Sequence, residues 1–596
     1  MKYIISYAPN HQHFIDIEII TDAIQGNLNV QLPSWRPGRY ELSNYAKNIR
    51  NWRAEDSNGK TFSFTKIKKD LWEVVVPQKS EIHIKYSYYA ADNDAGNSYL
   101  DDYQIFVNPA NCCMYIPDKR MEEVQLELIL PVNYQVATAM KREKQTQPNH
   151  SNIENRQMSR MHTHILKASD YDELADSPFI ASPTLMHNMF VMDGIEFHLW
   201  IQGEAKPDWG KIINDFFIFI NEQVNMMKGC PVKEYHFLFH VMPTKFYHGV
   251  EHLASTDISI GPAYNFMKED TYNGFLGLSC HEFFHCWNIK TIRPAEMYPY
   301  DYTRENYSRL GYVCEGITTY YGNYLLYRSG VFNEFQYLKS VKGEVQKHFD
   351  NYGRFNLSVA LSSFDTWVDG YSAGVPGRKV SIYTEGGLLA FITDVFIRRN
   401  SQNKKSLDDV MRVLYHEYAM KGKPYTEEDY KQIVESAAGN SFVDIFDNYI
   451  NKPSDLYKPL TEALDWLGMQ LYQTESKKYC ERYWGMKTSE DHGNGHGTVK
   501  VSAVAPDSPA AFSGIYQGDE ILMINGHQLK NNFNDWCEFY SHEEVQLTVS
   551  SSQMLREVKL AHVTGKEYYP CFHVFKKRDA TLEQKAAYRL WCNRDF

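Results

Sequence analysis

Five consecutive residues, His281-Glu282-Phe283-Phe284-His285, have the types and spacing of a hydrolytic metal centre. On an α-helix, side chains four apart share one face. Both imidazoles can therefore meet one tetrahedral ion, while Glu282, one position on, addresses water beside it. Residues 273–289 contain no proline and read as the helix this requires. A catalytic zinc takes three protein ligands and keeps a fourth position open, so another element must supply a third donor. Glu315 is the candidate. It lies among Val313, Cys314, Ile317 and Tyr320 in a second helical segment, residues 309–328, where a carboxylate is costly unless paired or bound to metal. The competing account is a Glu on the wet side of that helix. The extended three-histidine motif is absent, because Cys286-Trp287-Asn288-Ile289-Lys290-Thr291 follows instead. Cys280 and Cys286 flank the histidines at helix angles that point elsewhere, so packing is their expected role. One zinc ion is the expected cofactor.

The elements that must position these groups are legible in outline. A chain of 596 residues with 43% hydrophobic and 23% charged residues has the composition of a folded protein with several cores. Its net charge of −12 would repel a phosphate backbone or an anionic membrane, which leaves peptides, proteins and small molecules as partners. No apolar run approaches the ~18 residues of a membrane span. Ten cysteines without paired spacing, and an N-terminus that turns polar at once, predict a cytoplasmic protein.

Alternating runs such as Phe14-Ile15-Asp16-Ile17-Glu18-Ile19 predict an antiparallel β-sandwich over residues 1–170, with residues 141–155 as a surface loop. Helical periods dominate residues 171–455, at 209–227, 273–289, 309–328, 383–399 and 406–418. Strand patterns return in residues 456–565, and residues 566–596 form an extension with a short helix and no readable chemistry. The Gly- and Asn-rich residues 491–497 read as a hairpin loop.

Several stretches, taken in order, resemble the glycyl aminopeptidase family of gluzincin zinc metallopeptidases. They are Gly249-Val250-Glu251-His252, the His281 to His285 motif, Trp287-Asn288-Ile289-Lys290, Ile292-Arg293-Pro294 and Glu315-Gly316-Ile317-Thr318-Thr319-Tyr320-Tyr321. The resemblance extends upstream to Leu32-Pro33-Ser34-Trp35-Arg36-Pro37-Gly38-Arg39-Tyr40 and Tyr171-Asp172-Glu173-Leu174-Ala175-Asp176-Ser177-Pro178, and so covers most of the chain. It implies a multidomain α+β protein whose middle domain is thermolysin-like. It also implies that Gly249 and Glu251 belong to the substrate site, with Glu251 receiving the α-ammonium group, and that Tyr383 assists at the oxyanion. In Ser381-Ile382-Tyr383-Thr384-Glu385-Gly386, Glu385 stands where relatives commonly carry Lys. The expected activity is zinc-dependent removal of small N-terminal residues such as Gly or Ala from peptides with a free N-terminus, with Glu282 as general base. The alternatives are a PDZ-assisted zinc endopeptidase and a peptide-binding scaffold with a silent metal site.

A second resemblance is to a PDZ domain. It rests on Thr498-Val499-Lys500-Val501, Asp507-Ser508-Pro509-Ala510-Ala511, Gly518-Asp519-Glu520-Ile521-Leu522 and Ile524-Asn525-Gly526. Ser508 followed by Pro509 suits a helix N-cap and N1, and Asn525-Gly526 suits a type I′ turn. The resemblance implies a groove for an extended peptide, with Tyr483-Trp484-Gly485-Met486 as the expected carboxylate loop and Leu467-Gly468-Met469 as the alternative.

Overall fold

A computed structural model of the chain describes residues 1–146, 161–371, 374–491, 498–562 and 565–596. In strand Phe14–Ala23, Ile15, Ile17 and Ile19 are buried while Asp16 and Glu18 face outward, as the period of two requires. Seven strands form one sheet in the order Lys141–Thr146, Met161–Ala168, Val124–Pro131, Lys2–Ser6, Phe14–Ala23, Ser80–Tyr89, Ile49–Glu55. All pairings are antiparallel except that of Lys2–Ser6 with Val124–Pro131, which is parallel. A three-stranded sheet (Gly26–Gln31, Leu71–Val76, Phe64–Lys68) and a four-stranded sheet ending on Phe179–Ser182 and Gln135–Thr138 complete the N-terminal layers. One correction concerns the loop expected at 141–155: Lys141–Thr146 is a strand paired with Met161–Ala168. The rest of that segment lies outside the described residues, as does most of the hairpin expected at 491–497.

The middle of the chain is mainly helical, but it carries a five-stranded sheet in addition to the expected helices. The strands run Met186–Met192, Ile195–Gln202, Glu234–Val241, Ser255–Gly261, Phe246–Glu251. Helices cover one face, with Tyr235, Phe237 and Phe239 in the main core. Phe106, Ala137 and Ile180 of the N-terminal sheets meet Trp200 and Leu238 on the other face. Strand Glu234–Val241 is thus buried on both faces, its polar His236 and His240 included.

Residues 35–40 lock the N-terminal layers to the helical unit. Trp35 Nε1 donates to the Asp301 carbonyl at 2.8 Å, and its ring meets Tyr300 and Trp367 edge-on. The Ser34 N–H donates to the Tyr302 carbonyl at 2.8 Å.

The C-terminal sheet follows the path Met486–Asp491, Thr498–Val504, Glu520–Ile524, Val545–Ser551, Met554–Leu560. Its punctuation is as expected. Ser508 Oγ accepts from the Ala511 N–H at 3.2 Å ahead of Pro509, and Asn525 and Gly526 both take positive φ. After this sheet the chain returns to the helical unit. Cys571–Lys576 pairs with Met469–Thr474, and helix Leu582–Cys592 lays Tyr588 and Trp591 into the main core. Tyr327 and Tyr588 share a hydroxyl hydrogen bond of 2.6 Å there. Among the described residues no helix is long and apolar enough to cross a membrane.

Candidate active site

Three helical segments converge on one cavity of about 630 Å³. Helix Glu269–Phe284 carries His281 and Glu282 in its last turn, and His285 is its C-cap in right-handed helical geometry. A single wide π-turn, Tyr312–Gly316, precedes helix Ile317–Ser329 and delivers Glu315, which is 2% exposed. The exposed-Glu account of this residue is thereby excluded. The His281 and His285 Nε2 atoms are 3.1 Å apart, and Glu315 Oε2 lies 3.7 Å and 3.3 Å from them.

Donors at the roughly 2.0–2.1 Å zinc–ligand distance on a tetrahedron stand about 3.3–3.4 Å apart, so this triangle fits a zinc ion. The ring orientation agrees. His285 Nδ1 donates to the Asn288 carbonyl at 2.8 Å, which leaves the Nε2 lone pair facing His281 and Glu315. The Asn288 side-chain amide reaches the Val313 and Cys314 carbonyls, both at 2.9 Å, and so ties the histidine turn to the glutamate turn. Burial by itself would raise the Glu315 carboxyl, but the two imidazoles outweigh it and hold it at about 2.

Glu282 is 4% exposed, and its Oε2 has no hydrogen-bond partner. Burial pushes its carboxyl well above the usual range; His285 opposes the shift, and Glu251 and Glu315 add to it. Gly249 makes the room Glu282 needs, since a Cβ there would stand 2.1 Å from Glu282 Oε1. Glu251 ends the edge strand Phe246–Glu251, 4% exposed, with a carboxylate oxygen within 4.8 Å of ligand atoms of both Glu282 and His285.

Tyr383 is the second residue of helix Ile382–Asn400, and its ring lies 6.4 Å from that of His281. Burial, with Glu315 and Tyr371 adding, keeps its phenol protonated far above the usual range, so it is available as an O–H donor. Glu385 lines the same cavity and is engaged by buried His348. The Leu456 N–H donates to His348 Nε2 at 3.2 Å, which puts the imidazole proton on Nδ1, 2.6 Å from the Glu385 carboxylate. Cys280 and Cys286 point elsewhere, to the Gln223 amide and the Leu253 carbonyl.

Sequence reasoning assigned no site role to Gly38, Tyr371 or Asn288. Gly38 comes from the N-terminal layers at φ +80, and a Cβ there would meet Glu251 Oε2 at 2.6 Å. Its Pro37-Gly38 dipeptide is a turn signal, but nothing local tells that the turn lies against Glu251. Tyr371 Oη accepts from the Tyr40 N–H at 3.3 Å. Asp176 binds Lys290 Nζ at 2.6 Å and His252 Nδ1 at 3.1 Å, fixing the turns that follow the histidine helix and the Glu251 strand.

Comparison with known proteins agrees with this geometry. The model of the Peptidase M61 N-terminal domain matches residues 2–183, that of M61 glycyl aminopeptidase matches residues 274–389, and that of the PDZ domain matches residues 473–560. The second match contains His281, Glu282, His285, Glu315 and Tyr383. No curated protein sequence matches the chain. Among solved structures, an aminopeptidase N family protein from Idiomarina loihiensis superimposes with a TM-score of 0.87 at 25% identity, over 99% of each chain. An M1 zinc metallopeptidase from Deinococcus radiodurans overlaps in part, with a TM-score of 0.47 at 11% identity over 76% of this chain and 93% of its own. Two M61 matches followed by a PDZ match, along a chain whose N-terminal loop and middle helices build one cavity, identify the protein as an M61 glycyl aminopeptidase family peptidase with a PDZ domain.

Proposed function

We propose that this peptidase is a zinc-dependent aminopeptidase that removes small residues, Gly or Ala, from free N-termini. The observation that carries the reading is the position of Glu251. This buried carboxylate has an oxygen within 4.8 Å of ligand atoms of Glu282 and His285, and Gly38 closes the space behind it. A carboxylate so placed pairs with the α-ammonium of a substrate and leaves room for one short side chain.

His281, His285 and Glu315 would hold the zinc ion, which when bound supplies Lewis acidity at the scissile carbonyl and lowers the pKa of water. Glu282 takes the proton of the attacking water at its free carboxylate oxygen and returns it to the departing amine. The Tyr383 phenol donates to the oxygen on which charge develops. Glu251 orients the substrate by its first residue, and Gly38 packed behind it keeps a longer chain from entering at that end.

The test is hydrolysis of matched peptides beginning with Gly, Ala or Leu, each free and N-acetylated, alongside Glu282→Gln. Free Gly and Ala peptides should be cut and acetylated ones spared, and Glu282→Gln should retain zinc with turnover lost. Internal cleavage of the acetylated set would support the endopeptidase reading instead. Zinc binding without turnover of any peptide would support the scaffold.

A further inference from the structure

The active-site cavity adjoins a larger one of about 890 Å³, with Ser381 and Tyr383 lining both. One wall of the second cavity is the segment leading into the Tyr383 helix, with Asp369, Arg378 and Lys379. The other wall belongs to the PDZ unit, with Ser489 and Lys500. The expected carboxylate loop at Tyr483 to Met486 does not line it, whereas Ser489 of the edge strand Met486–Asp491 that follows this loop does.

The two cavities carry opposite charge. The first lines five carboxylates, Glu251, Glu282, Glu315, Glu344 and Glu385, against Lys347, whereas the second lines three cations against one carboxylate, in a chain whose net charge is −12. Arg378 is tied to Asp365 and Asp369, and Lys379 to Asp369 at 2.8 Å. Lys500 is exposed on strand Thr498–Val504, opposite Glu520 of the next strand, and forms no ion pair among the described residues. It is the cation available to a ligand. An acidic end followed by a basic end matches the polarity of a peptide that enters ammonium first and trails a carboxylate.

We propose that the substrate chain on the C-terminal side of the scissile bond runs past Tyr383 into this groove, where Lys500 of the PDZ unit pairs with a trailing carboxylate. The inference rests on the aminopeptidase reading. It adds a preference for peptides whose trailing segment bears Asp, Glu or a free C-terminus, and it makes the PDZ unit part of the substrate site.

The test uses the full-length, zinc-loaded protein and four Ala-initiated substrates. These are a dipeptide, a neutral octapeptide with a free C-terminus, the same octapeptide amidated, and an amidated octapeptide with Glu near its end. Wild type should favour both carboxylate-bearing octapeptides over the neutral amide by about fivefold in kcat/KM at low salt, and lose the preference at high salt. Lys500→Glu should abolish or invert it while the dipeptide is cut as before. The free-acid and Glu arms distinguish a terminal from a side-chain carboxylate. Equal losses on dipeptide and octapeptides, or an unchanged octapeptide preference, would overturn the proposal. Calorimetric binding of the octapeptides to Glu282→Gln, with and without Lys500→Glu, reads the groove without turnover. Unaltered affinity there overturns the groove alone, whereas absence of wild-type hydrolysis overturns the aminopeptidase reading.

Discussion

Gly38→Ala places a methyl group from the N-terminal layers against the Glu251 carboxylate, proposed above to receive the substrate ammonium. The new Cβ would stand 2.6 Å from Glu251 Oε2, whereas ordinary contact begins near 3.4 Å, so the carboxylate must retreat by about 0.8 Å. The backbone at φ +80 adds local strain of about 1–2 kcal/mol for a residue with a Cβ. That strain lowers thermal stability modestly and leaves zinc content intact. A hydrogen bond to a charged group is worth about 1.5–3 kcal/mol, so displacing Glu251 from the substrate ammonium should lower kcat/KM on free Gly and Ala peptides by about 10- to 100-fold. The assay is a double-mutant cycle with Glu251→Ala, measured as kcat/KM on Ala-initiated peptides, with zinc content and thermal midpoint recorded for each protein. If Gly38→Ala acts by pushing Glu251, then in the Glu251→Ala background, where the obstructed group is gone, it should cost no more than about twofold. Two full losses that multiply would refute the reasoning, as would an unaffected single variant with the expected fold.

Two further predictions concern groups around the same cavity. Tyr383→Phe should lower kcat by about 100- to 1000-fold with little change in KM, because the phenol acts where charge develops and not on the bound substrate; an equal rise in KM would contradict that role. Asp176→Asn should destabilise the fold by about 3–5 kcal/mol at neutral pH, since it leaves Lys290, 3% exposed, without its buried counter-charge. Burial alone would raise the Asp176 carboxyl, but Lys290 and then His252 hold it far below the usual carboxylate range. A carboxyl depressed in the folded state stabilises the protein above its unfolded value of about 4, and that contribution is lost as pH falls from there through the folded value. Thermal midpoints from pH 7 to 3 should therefore fall more steeply in wild type below pH about 4 than in Asp176→Asn, and parallel curves would count against this pairing.

Much of the catalytic apparatus is local in sequence, which is why it can be read there. His281, Glu282 and His285 lie within one helical turn and a half, so helix geometry alone sets their relation. Glu315 stands out because its neighbours are apolar, and Ser508-Pro509 and Asn525-Gly526 carry their own backbone preferences. The five-stranded sheet in the middle of the chain is less plain. Strand Glu234–Val241 alternates Tyr235, Phe237, Phe239 and Val241 with His236 and His240, but both of its faces are buried and Leu238 interrupts the period.

What only the tertiary structure decided is everything that depends on packing between segments far apart in the chain. The type and spacing of Glu251 are visible in the sequence, but its confinement depends on Gly38, brought against it when Trp35 seats on Tyr300 and Trp367. Likewise Lys500 is an ordinary strand residue until the folded chain sets its strand across a groove from the Tyr383 helix. Helix and turn propensities act over a few residues and leave their mark in sequence. The closure of a cavity by side chains hundreds of residues apart arises from the burial of whole surfaces, which no short stretch encodes.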